Sequence, residues 1–128
     1  MELFADGISL GKDNGRWKTA TDFVIPGNTK IIAVAAKKLH HPSPPGILGS
    51  LSNGLVTSSR WKCSNRFYPE WNFRDFDDHN WSAAKEIPKH HGGGPPGGNI
   101  HIAGIDQTAM WIWSRIQGPD CYCRVNLQ

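Results

Sequence analysis

The chain has 128 residues, a net charge of +3, six tryptophans, fourteen glycines and nine prolines. That length suits one domain, residues 1–128, built around a single core of moderate size. Lysine and arginine never run beyond two in a row, and no apolar stretch approaches the roughly 20 residues of a membrane span, which argues against nucleic-acid partners and against a membrane span.

Taken in order, the chain reads as short strands joined by turns. Glu2 to Ala5 and Ile8 to Leu10 flank Asp6-Gly7, a hairpin turn dipeptide. Asn14-Gly15 sits in a polar loop, and Trp17 to Phe23 can be extended. Ile31 to Ala36 is an apolar run without helical period, expected as a strand buried on both faces. Leu39 to Gly46 is a proline-rich loop carrying His40 and His41. Strands are expected at Ile47 to Leu51, Leu55 to Thr57 and Arg60 to Ser64. Asn65 to Asn80 is irregular, with one helical turn expected near Asp77 to Asn80. A short strand follows within Trp81 to Ile87. Pro88 to Asn99 is a Gly/Pro/His tract with nothing to pack, expected as a flexible surface loop. Ile100 to Ala103, Met110 to Trp113 and Tyr122 to Leu127 close the series. With no long amphipathic helix, the expected fold is all-β, a sandwich with few or no helices.

Three cysteines permit one disulfide and one spare thiol. Cys121 and Cys123, on a strand, are expected to send one side chain to the core and the other to solvent, and to be poor partners for each other. Arg60 to Ala84 concentrates Trp61, Trp71 and Trp81 with Cys63 and the acidic turn Asp75 to Asp78. Rings this dense form either a core or a ligand platform.

An ordered set of short motifs spans nearly the whole chain: Leu3-Phe4-Ala5-Asp6-Gly7, Leu10-Gly11, Trp17, Ile31-Ile32-Ala33-Val34, Gly46-Ile47-Leu48-Gly49, Asn53-Gly54, Trp61-Lys62-Cys63, Phe76-Asp77-Asp78-His79-Asn80-Trp81, Trp111-Ile112-Trp113 and Tyr122-Cys123-Arg124. In these the chain resembles the galactose-binding-like jelly-roll domains, which accompany rhamnosidases and β-galactosidases and recur in extracellular proteins of marine invertebrates. The resemblance implies a non-catalytic β-sandwich, extracellular, that binds sugar through loops at one end or serves as scaffold. It implies that the Phe-Asp-Asp-x-x-Trp piece is structural, with Asp77 and Asp78 capping the turn into Trp81. It also implies a Cys63–Cys123 disulfide, leaving Cys121 over. Members usually carry a strand before the one matching Leu3-Phe4, for which Met1 leaves little room, so a sheet edge is expected to be open or filled by another molecule.

For ligand binding, Trp17 and Trp71 are the candidate platforms, with Asn14, Arg16 and Arg66 as hydrogen-bond partners. Trp61, Trp81, Trp111 and Trp113 fall on strands and are expected in the core. His40, His41, His90, His91 and His101 could meet at a transition metal, yet their spacing matches no standard zinc pattern. A solvated loop explains them more simply, and a pH-sensitive surface for mineral or polyanion is a third reading. Asp75, Asp77 and Asp78 offer oxygen ligands of the kind calcium takes, without EF-hand spacing. No cofactor is otherwise expected. The leading functional expectation is a lectin-like domain whose partner is a glycan. The alternative is a structural subunit of a matrix, filament or biomineral that assembles with its own kind, suggested by the sheet edge, the odd cysteine and the His/Pro/Gly loops.

Overall fold

The computed structural model describes residues 1–13, 20–38, 45–87, 102–116 and 118–127. Asp6 and Gly7 take the left-handed backbone (φ 48° and 87°) that a tight two-residue hairpin requires. They join β1 (Glu2–Ala5) to β2 (Ile8–Lys12), with one register irregularity between Leu3 and Phe4. The Asp6 carboxylate then accepts the backbone N–H groups of Lys30 and Ile31, which fixes the hairpin to the start of β3 (Ile31–Lys37).

Strand β3 runs antiparallel between β1 and β8 (Asp120–Asn126), and all four residues Ile31 to Val34 are buried, as the unbroken apolar run implies. Strands β4 (Lys62–Ser64) and β5 (Ser82–Ala83) complete a six-stranded antiparallel sheet in the order β2-β1-β3-β8-β4-β5. A second sheet pairs β6 (Lys85–Glu86) with β7 (Ile112–Trp113) and is extended by a bridge from Ile47 to Ile112. One extended segment serves both sheets. It leaves the large sheet after Ala83 and joins the small one at Lys85, pivoting on the fully buried Ala84, whose N–H donates to the Trp61 carbonyl. The fold is all-β, and the described residues contain no helix.

Alternation assigns the two faces of the large sheet. Leu3, Ala5, Ile32, Val34, Cys63, Cys123 and Val125 share one face and pack with Trp61, Ile47, Ile112 and Trp113 as the main core. Phe4, Ala33, Tyr122 and Arg124 share the other, which the irregular chain from 65 to 81 covers through Trp71.

The Cys63–Cys123 disulfide is present, between residues that stand opposite each other on β4 and β8. Cys121 does not behave as expected. It is fully buried on the same face as Cys123, because residues two apart on a strand point the same way.

Between 47 and 57 the expected strands shrink to isolated bridges, Ile47 to Ile112 and Ser50 to Val56. The Thr57 backbone pairs with Gly49 (N–H to carbonyl, 3.0 Å) and with Met110 (carbonyl from N–H, 2.9 Å), and its buried hydroxyl adds a bond to the Met110 carbonyl at 2.7 Å and accepts the Gly49 N–H at 3.1 Å. Ile102 and Ala103 are outside any strand. In place of the helical turn expected near Asp77 to Asn80, the chain makes a non-helical reverse turn closed by the Trp81 N–H on the Asp78 carbonyl.

Candidate functional site

The Arg60 to Ala84 stretch is an aromatic cover, held down by one side chain. Arg124 rises from β8 and is 2% exposed. Its guanidinium donates to the backbone carbonyls of Trp71 (2.6 Å), Phe73 (2.8 Å) and Phe76 (3.2 Å) and to the Asp78 carboxylate (2.9 Å). Asp78 also pairs with Lys62 at 3.5 Å. Of the two aspartates expected to cap the turn, Asp77 does so by accepting the His79 N–H, whereas Asp78 is the counter-ion of Arg124.

Trp71 is not a platform. It is 4% exposed and its ring lies nearly parallel to Trp81 at 6.5 Å, with Phe4 and Tyr122 edge-on at 5.6 Å and 5.0 Å. Stacking on a pyranose needs a free ring face, and neighbours surround this one. Trp61, Trp111 and Trp113 are buried as expected, while Trp81 is half-buried. Arg66 is exposed, its guanidinium 6.0 Å from the Tyr68 ring centre, beside the exposed ring of Phe67. Asn14, Arg16 and Trp17 lie outside the described residues, as do His40, His41, His90, His91 and His101. Asp75 is exposed, and it does not join Asp77 and Asp78 in a three-ligand cluster.

A concave feature lies on the opposite, main-core side. A cavity of about 910 Å³ lies between the large sheet and the segments at 20–27, 45–53 and 102–105. Ile32 and Val34 of β3 reach it from the sheet. The 21–25 segment alternates: Thr21, Phe23 and Ile25 are half-buried, while Asp22 and Val24 are exposed. Phe23 and Ile25 therefore pack against the core and line the cavity, although their segment joins no sheet. Leu51 adds a further apolar wall, Thr29 and Asn53 also line the cavity, and Asp22 borders it from the exposed side of its segment. Asp13 also lines it and is ion-paired with the terminal ammonium of Met1 at 3.1 Å.

No family model matches the chain. No curated protein and no solved structure matches it either. The assignment of a site therefore stands on geometry.

By size, the cavity falls within the range of small-molecule sites, about 300–1,000 Å³. It presents half-buried apolar surface beside carboxylate, amide and hydroxyl groups, the pairing that fits a ligand with an apolar face and a polar rim. None of Phe23, Leu51 or Asn53 stands out in the sequence as a ligand residue. The one available signal was the alternation from Thr21 to Ile25.

With the disulfide intact, the remaining thiol is not a nucleophile. Burial pushes the Cys121 thiol up to about 12, against a partial offset from hydrogen bonds with the Ser114 backbone and side chain. A thiol so held is a poor nucleophile at neutral pH.

Proposed function

We propose that the chain is a non-catalytic, extracellular domain that takes a carbohydrate in the cavity between the large sheet and the 20–27 and 45–53 segments. The observation that carries this is the cavity itself, about 910 Å³, lined by Phe23, Ile25 and Leu51 together with Asp22, Thr29 and Asn53. A pyranose has an apolar C–H face for the ring and a hydroxyl edge for the amide and carboxylate. The large antiparallel sheet beside a smaller one supports a sandwich of the galactose-binding-like jelly-roll kind. The disulfide supports an oxidising compartment.

Two carboxylates, Asp13 and Asp22, line the cavity, so hydrolysis is the competing use. A glycan array followed by titration of the best binder tests the reading. Binding lost in Phe23→Ala and Asn53→Ala supports it, and turnover of an aryl glycoside abolished by Asp22→Asn replaces it with hydrolysis.

A second reading is self-assembly through the sheet. Strand β2 pairs only with β1 among the described residues, and it carries Ile8, 71% exposed, next in sequence to Gly7, over which the partly exposed ring of Phe73 lies. Sedimentation velocity tests it: concentration-dependent oligomers abolished by Ile8→Lys support an edge-to-edge assembly, and a monomer at every concentration contradicts it.

A further inference from the structure

Three sulfurs meet on the main-core face of the large sheet. Cys63 and Cys123 are bonded, the Cys121 Sγ lies 3.5 Å from the Cys123 Sγ, and all three lie within 4.8 Å of one another. The register explains the meeting. Cys63 stands opposite Cys123 across β4 and β8, and Cys121 is two residues along β8 on the same face.

We propose that reduction of the Cys63–Cys123 bond converts this cluster into a three-thiolate site for the soft monovalent cation Cu(I). Ligand softness narrows the choice of ion, since thiolates select Cu(I) and Zn(II) among common metals. Ligand number separates those two. A structural zinc site closes with four ligands, whereas this group has three, all buried, and no fourth cysteine, histidine or carboxylate joins it among the described residues. Spacing agrees as well. Sulfurs bound at about 2.3 Å around one ion sit on the order of 4 Å apart, and the separations here already approach that outside the bonded pair. Opening the disulfide is the one large movement required. Ser114, itself buried, lies beside the Cys121 sulfur, with its hydroxyl donated to the Ile116 carbonyl at 2.7 Å.

The chemistry balances in two steps. A dithiol reductant supplies two electrons and two protons, leaves as its own disulfide, and yields the Cys63 and Cys123 thiols. Cu(I) then displaces the three thiol protons to solvent and forms three Cu–S bonds, with no change in the oxidation state of copper. In the oxidised protein Cys121 alone is available, so copper binding is gated by the disulfide.

The test uses whole protein reduced without oxygen, freed of reductant, and titrated with Cu(I) against bicinchoninate as competing chelator. The proposal expects one Cu(I) per chain, three sulfur neighbours by X-ray absorption, and at least a tenfold loss of affinity in Cys121→Ser. Oxidised protein should withdraw no copper from the chelator. Near-UV circular dichroism separates a folded site from thiols on an unfolded chain, and the copper-loaded form should match the oxidised one. Equal affinity in wild type and Cys121→Ser overturns the proposal, as does a copper-loaded form without a tertiary spectrum.

Discussion

Arg124 donates from Nε to the Asp78 carboxylate at 2.9 Å, across 46 positions of sequence, and thereby ties the irregular 65–81 segment to the central sheet. The same guanidinium satisfies the carbonyls of Trp71, Phe73 and Phe76, so one buried cation serves a loop that has no ladder of its own. Placing that charge inside is costly, and the four partners are what make it tolerable.

Removing Arg124 should therefore be among the most damaging single changes. Arg124→Ala leaves three carbonyls and a carboxylate without their donor, at a cost of about 3–5 kcal/mol by analogy with broken buried pairs. Arg124→Lys keeps the charge and loses the fork, so it should recover only part of that stability. Urea unfolding measures both, and an Arg124→Ala midpoint equal to wild type contradicts the assigned role.

Gly7 carries a second constraint. Its φ of +87° suits glycine, and an added Cβ would lie 2.7 Å from Cδ1 of Phe73. Gly7→Ala is expected to cost about 1–2 kcal/mol from the left-handed backbone, with a further increment from the displaced ring. Phe73 is partly exposed and can swing aside, so Gly7→Ala/Phe73→Ala should remove that increment while the backbone cost stays. Thermal unfolding of Gly7→Ala, Phe73→Ala and the double variant gives the comparison.

How much of this was legible in the sequence depends on the kind of residue. The hairpin at Asp6-Gly7 and the doubly buried Ile31 to Val34 were readable, because a turn dipeptide and an unbroken apolar run are local signals. The Cys63–Cys123 pairing followed from the family resemblance. Trp71 was misplaced because Arg66 and Asn72 stand close to it in sequence, whereas in space the loop folds back onto Phe4 and Tyr122. Arg124 carried no signal, since a charged residue in a strand reads as solvent-facing until its partners at Trp71 to Asp78 are brought over it. The short strands near Thr57 were over-read because their backbone pairs only at isolated positions, interrupted by the turn at Asn53-Gly54. The cavity needed three separate segments to converge, which no local pattern encodes.

Acid should loosen the hairpin through Asp6. Desolvation pushes its carboxyl up, but the Arg74 hydrogen bond, the Ile31 and Lys30 N–H donors and the charge of Arg74 outweigh this and hold it below the ordinary value. A lowered folded pKa means the stabilisation is present above the unfolded value of about 3.9 and is lost as pH falls through the folded value. Asp6→Asn should be less stable than wild type at neutral pH, and the gap should close as pH falls below about 4. A gap that stays constant down to pH 2 contradicts the linkage.

Base should act through Cys121. With its thiol raised to about 12, the folded state keeps a proton that the unfolded chain releases near its ordinary value of about 8.5. Stability from this source is full below about pH 8.5 and is lost as pH rises toward 12. Native protein should resist iodoacetamide at pH 8, and unfolded, unreduced protein should take up one equivalent, since the other two cysteines are bonded. Rapid labelling of the native form contradicts the buried placement.

The central claim is that the cavity holds a sugar, and a nitrogen-edited NMR titration with the strongest glycan-array binder tests it most directly. The account predicts saturable shifts at Phe23, Ile25, Leu51 and Asn53, with Arg66 and Trp71 unmoved, and their loss in Phe23→Ala. Saturable shifts centred on Arg66, Phe67 and Tyr68 instead, or no shifts at millimolar sugar, would contradict it.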